Sequence, residues 1–148
     1  MNVIAIAAVT ADGFIARSSD EVIHWSRDLS LFKAQTLGHP VIMGSRTRET
    51  LAVDLQGRTC IVAHRTDKPE AVIQSIDDDT CFVIGGGRTY TRFAPFLTHL
   101  YLTPHPLRFG SGIPLFPELT TSLSLTFRSS VPVAPEEGIY QLQFVIRS

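Results

Sequence analysis

Asp28, Leu31, Phe32 and Gln35 lie three and four residues apart, so a helix over this stretch places them on one face. A carboxyl group that shares a stripe with leucine and phenylalanine loses part of its hydration. Lost hydration raises an acid's pKa towards the range in which it can exchange protons. A plainer reading stands beside this one, because an acid in a first helical turn complements the helix dipole. Ser26 carries a hydroxyl suited to orphan backbone donors and is the expected entry to that helix. Two further places have chemical potential. Val41-Ile42-Met43 stops at Gly44 and gives way to Ser45-Arg46-Thr47, and Cys81-Phe82-Val83-Ile84 stops at Gly85-Gly86-Gly87 and gives way to Arg88-Thr89-Tyr90. Both read as strand–glycine–helix junctions. Glycine lets backbone N–H groups approach a phosphate, and a helix start adds partial positive charge. Two such junctions fit a ligand with two or more phosphates, or a bulky dinucleotide. The glycine run lacks the third glycine of the Rossmann fingerprint, since Tyr90 stands there.

Arg46, Arg58, Arg65 and Arg88 all follow a strand or stand near a helix start, where they could meet an anionic ligand. His24, His39, His64, His99 and His105 have no metal-ligand spacing and the two cysteines form no CxxC, so no metal is expected. No nucleophile elbow supports acyl transfer.

These residues need a sheet to position them. Val3 to Val9 is short and continuously apolar, the pattern of a central strand covered on both faces. Asp12-Gly13 turns the chain, Phe14-Ile15-Ala16 returns as an apolar patch, and Arg17 to Glu21 reads as a polar loop. Trp25 either staples the start of the Asp28 helix or walls a pocket. Strands are expected at 41–43, 59–63, 81–84 and 99–103, with short helices at 46–51, 70–76 and 88–93. Leu123 to Phe127 and Tyr140 to Ile146 alternate and read as an antiparallel pair at a sheet edge. The expected fold class is therefore α/β: a single mixed, mostly parallel sheet flanked by helices, with a C-terminal antiparallel strand pair, in one domain over 1–148.

Composition sets bounds on the partners. The chain has 148 residues, 44% apolar and 18% charged, enough for a sizeable core in one soluble globular domain. A formal charge of −1 with no basic block argues against nucleic acid as a partner. No apolar run reaches membrane-spanning length, and no basic leader precedes the first strand. Cys60 and Cys81 sit in apolar runs like small packing residues in a reducing compartment. A cytoplasmic monomer is expected.

The order of these pieces resembles dihydrofolate reductase over nearly the whole chain. Asp28-Leu29 with Phe32-Lys33 and Thr36-Leu37-Gly38 is similar to that family's acid-bearing helix. Pro40-Val41-Ile42-Met43-Gly44 with Thr47 and Glu49 is similar to its Met-Gly-x-x-Thr strand and helix. Gly57-Arg58, Val83 to Arg88 with Tyr90, Leu100 to Thr103 and Phe116-Pro117 follow in register. The resemblance implies NADPH-dependent hydride transfer to the pteridine ring of dihydrofolate. It implies that Asp28 holds the amino-pyrimidine edge and assists protonation of the ring nitrogen, with Thr103 behind it and Trp25 nearby in the catalytic group. Ile6, Ala8, Leu29, Phe32 and Leu51 would line the substrate pocket, and Arg58 would take the glutamate carboxylate. Ala8, Ile15, Gly44, Ser45, Arg46, Thr47, His64, Arg65, Ile84, Gly85, Gly86, Gly87, Arg88, Thr89 and Tyr90 would receive the cofactor. A cis Gly85–Gly86 peptide is implied as well.

The chain also departs from the family pattern. The Pro-Trp pair before the acid is His24-Trp25, and Trp25 stands closer to Asp28 than usual. The arginine after Met-Gly is Ser45, with Arg46 beside it. An acid near Phe116-Pro117 is missing from Gly110-Ser111-Gly112. Asp12 to Ala16 is closer to the pyrimidine reductases of riboflavin synthesis, which makes a ribosylated pyrimidine the alternative substrate. A nucleotide-binding relative without catalysis is the other alternative, against which Asp28, Arg58 and Thr103 speak.

Overall fold

The first apolar run becomes the middle of a seven-stranded sheet. In the computed structural model, which describes residues 1–51 and 55–147, Asn2–Thr10 is strand β1. It is followed by β2 (Phe14–Ala16), helix α1 (Leu29–Thr36), β3 (Pro40–Gly44), α2 (Ser45–Thr50), β4 (Thr59–Ala63) and α3 (Pro69–Gln74). Then come β5 (Thr80–Val83), α4 (Gly87–Phe93), β6 (His99–His105), β7 (Ile113–Pro114), β8 (Ser124–Ala134) and β9 (Ile139–Arg147). The large sheet has the order β4-β3-β5-β1-β6-β9-β8. The pairs from β4 to β6 are parallel, while β9 runs antiparallel to both β6 and β8. The mixed sheet and its closing antiparallel pair are those expected.

Strand β1 is apolar from Val3 to Val9 because both of its faces are covered. Successive side chains alternate sides. Val3, Ala5 and Ala7 join a core with Ile42, Val83, Phe93 and Leu100, whereas Ile4 and Ile6 join Val41, Met43 and Phe82 on the other face. Phe93 is fully buried, and truncating such a ring to alanine costs about 3–5 kcal/mol.

Three local expectations change. The first helix starts at Leu29, not Ser26, and Asp28 occupies its N-cap position with no side-chain cap bond. The segment before it is held by a tertiary contact, the Arg27 N–H donating to Nε2 of His105 at 2.9 Å, which overrides the local capping preference. Strand β8 extends to Ala134, past the expected Phe127. Its pairing with β9 shifts register after Phe127 and again after Pro132, and such irregularity hides a strand from a strict period-two pattern. Pro132 is tolerated because β8 is an edge strand. Finally, β7 pairs with β2 in a small separate sheet that no periodicity announced. Among the described residues, no helix is long and apolar enough to cross a membrane.

Candidate active site

The carboxyl ends of the parallel strands β1, β3, β4 and β5 open onto one cavity of roughly 1340 Å³. Ligand pockets typically span about 300–1,000 Å³, so this one has room for two ligands side by side. Asp28, Leu29 and Phe32 of the α1 region reach it from one side, with Ile6 and Ala8 at its floor and Leu51 at its wall. From the other side come both glycine junctions, Gly44 to Thr47 and Ile84 to Tyr90, together with Ile15, His64 and Arg65. Residues as far apart in the chain as Ile6 and Glu118 therefore line a single space.

Asp28 is 6% exposed. Burial raises its carboxyl above the ordinary value of 3.8, and the nearby Thr103 hydroxyl and His105 pull partly the other way. Thr103 is completely buried, and its hydroxyl makes no hydrogen bond of normal geometry; it acts on Asp28 as an adjacent dipole. Tyr90 donates its phenol to the carbonyl of Ile6 at 2.6 Å, and burial keeps that phenol protonated.

The glycine junctions meet directly. The Gly44 N–H donates to the Gly85 carbonyl at 2.9 Å, and Ile84 N–H donates to Ile42 at the same distance. The Gly85–Gly86 peptide is cis, and Gly85 has φ +124°, a backbone that side-chain-bearing residues rarely adopt. At Gly86 a β-carbon would come within 3.4 Å of the Thr47 hydroxyl. The cradle is open because these positions carry no side chain. Arg46, Arg65 and Arg88 are exposed at its rim. Arg46 pairs with Asp20 of the 17–21 loop at 2.6 Å, which ties that loop to the start of α2.

Three expected residues lie elsewhere. Trp25 does not line the cavity; its ring stands edge-on to His105 and Phe109, at 5.3 and 5.4 Å. Thr103 sits behind Asp28 and does not reach the open space. Arg58 faces a second hollow with Lys33, Ala34, Leu37, Gln56 and Gly57. Its guanidinium donates to the Thr36 hydroxyl at 2.8 Å and to the carbonyls of Gln56 and Lys33 at 2.6 and 2.8 Å. Residues that the sequence did not single out also line the cavity, among them Ile23, Ile113 and Arg92, and Ser26, expected only as a helix cap, lines it too. Arg92 of α4 holds the carbonyls of His64 and Asp67 and so anchors the turn that carries Arg65. Helical spacing from Arg88 was the one signal that could have found it.

The sequence profile described as "Dihydrofolate reductase" matches residues 2–146. The chain belongs to the dihydrofolate reductase family. Among its relatives, the Bacillus subtilis dihydrofolate reductase is 32% identical over 155 aligned residues, covering 95% of this chain and 90% of that protein. Dihydrofolate reductase type 3 of Salmonella typhimurium is 31% identical, covering 97% and 95%. The solved structure of the Enterococcus faecalis dihydrofolate reductase, complexed with NADP(H) and RAB-propyl, superposes with a TM-score of 0.71 at 22% identity, covering 98% of this chain and 94% of that one. Asp28 is the buried carboxyl group among the residues that line the cavity.

Proposed function

We propose that this chain is an NADPH-dependent dihydrofolate reductase, reducing 7,8-dihydrofolate to tetrahydrofolate. One observation carries the reading: a buried acid shares a cavity with both glycine junctions. When bound, NADPH supplies a hydride to a carbon of the pteridine ring, whose neighbouring nitrogen takes up a proton. The residues present fit that cofactor. Its phosphates would lie against the backbone of Gly44 to Thr47 and Gly85 to Arg88, where missing β-carbons leave room. Arg46, His64 and Arg65 would meet the extra phosphate. On the substrate side, Ile6, Ala8, Leu29, Phe32 and Leu51 would flank the ring and exclude water. The Asp28 carboxylate can accept two donors from the amino-pyrimidine edge and fix the ring for attack. Its raised pKa keeps the proton available near the reacting nitrogen.

The chain would act as one domain over 1–148 and as a monomer, since its own residues line the cavity. A cytoplasmic setting suits its two free thiols, Cys60 and Cys81. The decisive experiment mixes purified protein with NADPH and dihydrofolate and follows the loss of nicotinamide absorbance. Absorbance that stays constant would defeat the proposal.

Two substitutions test the assignments. Arg65→Ala or Arg46→Ala should reduce the preference for NADPH over NADH about tenfold, the scale of one charge-assisted hydrogen bond, with NADH kinetics little changed. An unaltered ratio of the two kcat/KM values in both variants would refute this assignment. Arg58→Leu should raise KM for dihydrofolate by about tenfold or more while kcat stays within about threefold, the pattern of lost uniform binding. A fall in kcat with KM unchanged would place Arg58 in the chemistry instead.

A further inference from the structure

Asp28 is the acid of the reading above, yet little regular structure holds it. It precedes α1 with φ −106° and ψ 16°, and it makes no side-chain cap bond. On its C-terminal side, Phe32 N–H donates to the Asp28 carbonyl at 2.9 Å. On its N-terminal side, the neighbouring residue is anchored by His105. That ring is 2% exposed at the end of β6 and lies outside the cavity lining. Its Nε2 accepts the Arg27 N–H at 2.9 Å, and its Nδ1 lies 2.8 Å from the Thr103 carbonyl. A backbone N–H can only donate and a carbonyl can only accept. Together they dictate one neutral tautomer, with the proton on Nδ1. The Trp25 ring closes edge-on over the imidazole at 5.3 Å.

We propose that His105 is a positioning residue for the acid: its neutral imidazole ties the Arg27 backbone to β6 and thereby sets the Asp28 carboxyl beside Thr103. The role rests on Asp28 being the acid. It also gives Trp25 a place, as the wall that keeps the imidazole dry, although Trp25 never reaches the cavity. The other titratable groups facing the pair are Tyr90, buried and protonated, and Arg27, whose guanidinium pairs with Glu137 at 2.6 Å.

The test compares His105→Leu, which removes the acceptor, with His105→Gln, whose amide oxygen can replace it. Misplacing a reacting group by about 1 Å costs on the order of a hundredfold, so His105→Leu should slow single-turnover hydride transfer by about tenfold or more. Its rate-versus-pH profile should shift, NADPH affinity should stay parental, and kcat should fall more than KM rises. His105→Gln should recover most of the rate and the parental profile. A folded Leu variant with parental rate and profile would overturn the proposal, as would a Gln variant no faster than the Leu variant. If His105→Leu does not fold, nitrogen-15 spectra of the parent protein decide: a proton on Nδ1 of His105 supports the anchor, and a proton on Nε2 overturns it. Asp28→Asn is measured alongside. Parental rates for Asp28→Asn would remove the acid itself, whereas a slow Asp28→Asn beside a fast His105→Leu would remove only the positioning role.

Discussion

Replacing Asp28 by Asn should lower the single-turnover rate of hydride transfer by at least about a hundredfold, the usual cost of a lost acid–base group. Asn keeps the shape of the side chain but can neither carry the anion that accepts two donors nor exchange a proton. In the parent protein the rate should fall as pH rises past the site's pKa, which burial has raised above 3.8; in Asp28→Asn that dependence should disappear. NADPH affinity should be unchanged, because the glycine junctions stand on the other side of the cavity. Stability should move the opposite way. A buried acid with a raised pKa binds its proton more tightly in the folded chain than in the unfolded one. The folded state is therefore penalised as pH rises from the unfolded value through the folded pKa, and the penalty persists above it. Asp28→Asn removes this term, so its Tm should exceed the parent's at neutral pH, with the gain vanishing at pH values below 3.8. Parental rates across the pH range would take Asp28 out of the mechanism. A Tm gain as large in acid as at neutral pH would contradict the burial argument.

Gly85→Ala should weaken NADPH binding by about tenfold or more. The residue has φ +124°, and holding a side-chain-bearing residue in such a region costs about 1–3 kcal/mol. Space is not the difficulty, since an added β-carbon would lie 3.5 Å from the Tyr90 ring and 3.7 Å from the Thr47 hydroxyl, ordinary contact distances. The strain would be relieved by moving the backbone, and that backbone carries the carbonyl which receives Gly44 N–H. One substitution should therefore disturb both junctions. Calorimetric titration with NADPH measures the effect, and a parental affinity would mean that the Gly85 backbone does not shape the cofactor site. The Asp28→Asn and Gly85→Ala losses should be nearly additive in free energy if the two sites are independent.

Much of this site could be read from local pattern. The β-branched runs that end at Gly44 and Gly85 mark strand ends, because a continuous apolar run needs cover on both faces and glycine permits the turn that follows. The stripe of Asp28, Leu31, Phe32 and Gln35 put an acid among apolar neighbours, and Asp28 is buried as that stripe requires. These signals survive because they depend on periods of two and of three to four residues along one segment. What the pattern could not supply was anything decided between segments. Ser26 had the chemistry of a cap, but the bond from Arg27 to His105, 78 residues away in the chain, set the entry to α1 instead. His105 had no motif, since two single hydrogen bonds and an aromatic edge leave no spacing to detect. The resemblance named Trp25 and Arg58 but not their surroundings: Trp25 stands edge-on to His105 and Phe109, and Arg58 lines a hollow of its own with Lys33 and Leu37. The sequence by itself determined the central strands and most of the helices, and which acid and glycines could do chemistry. Tertiary structure decided which way those groups face, because direction depends on contacts whose partners are distant in the chain and whose energies appear only once the sheet has closed.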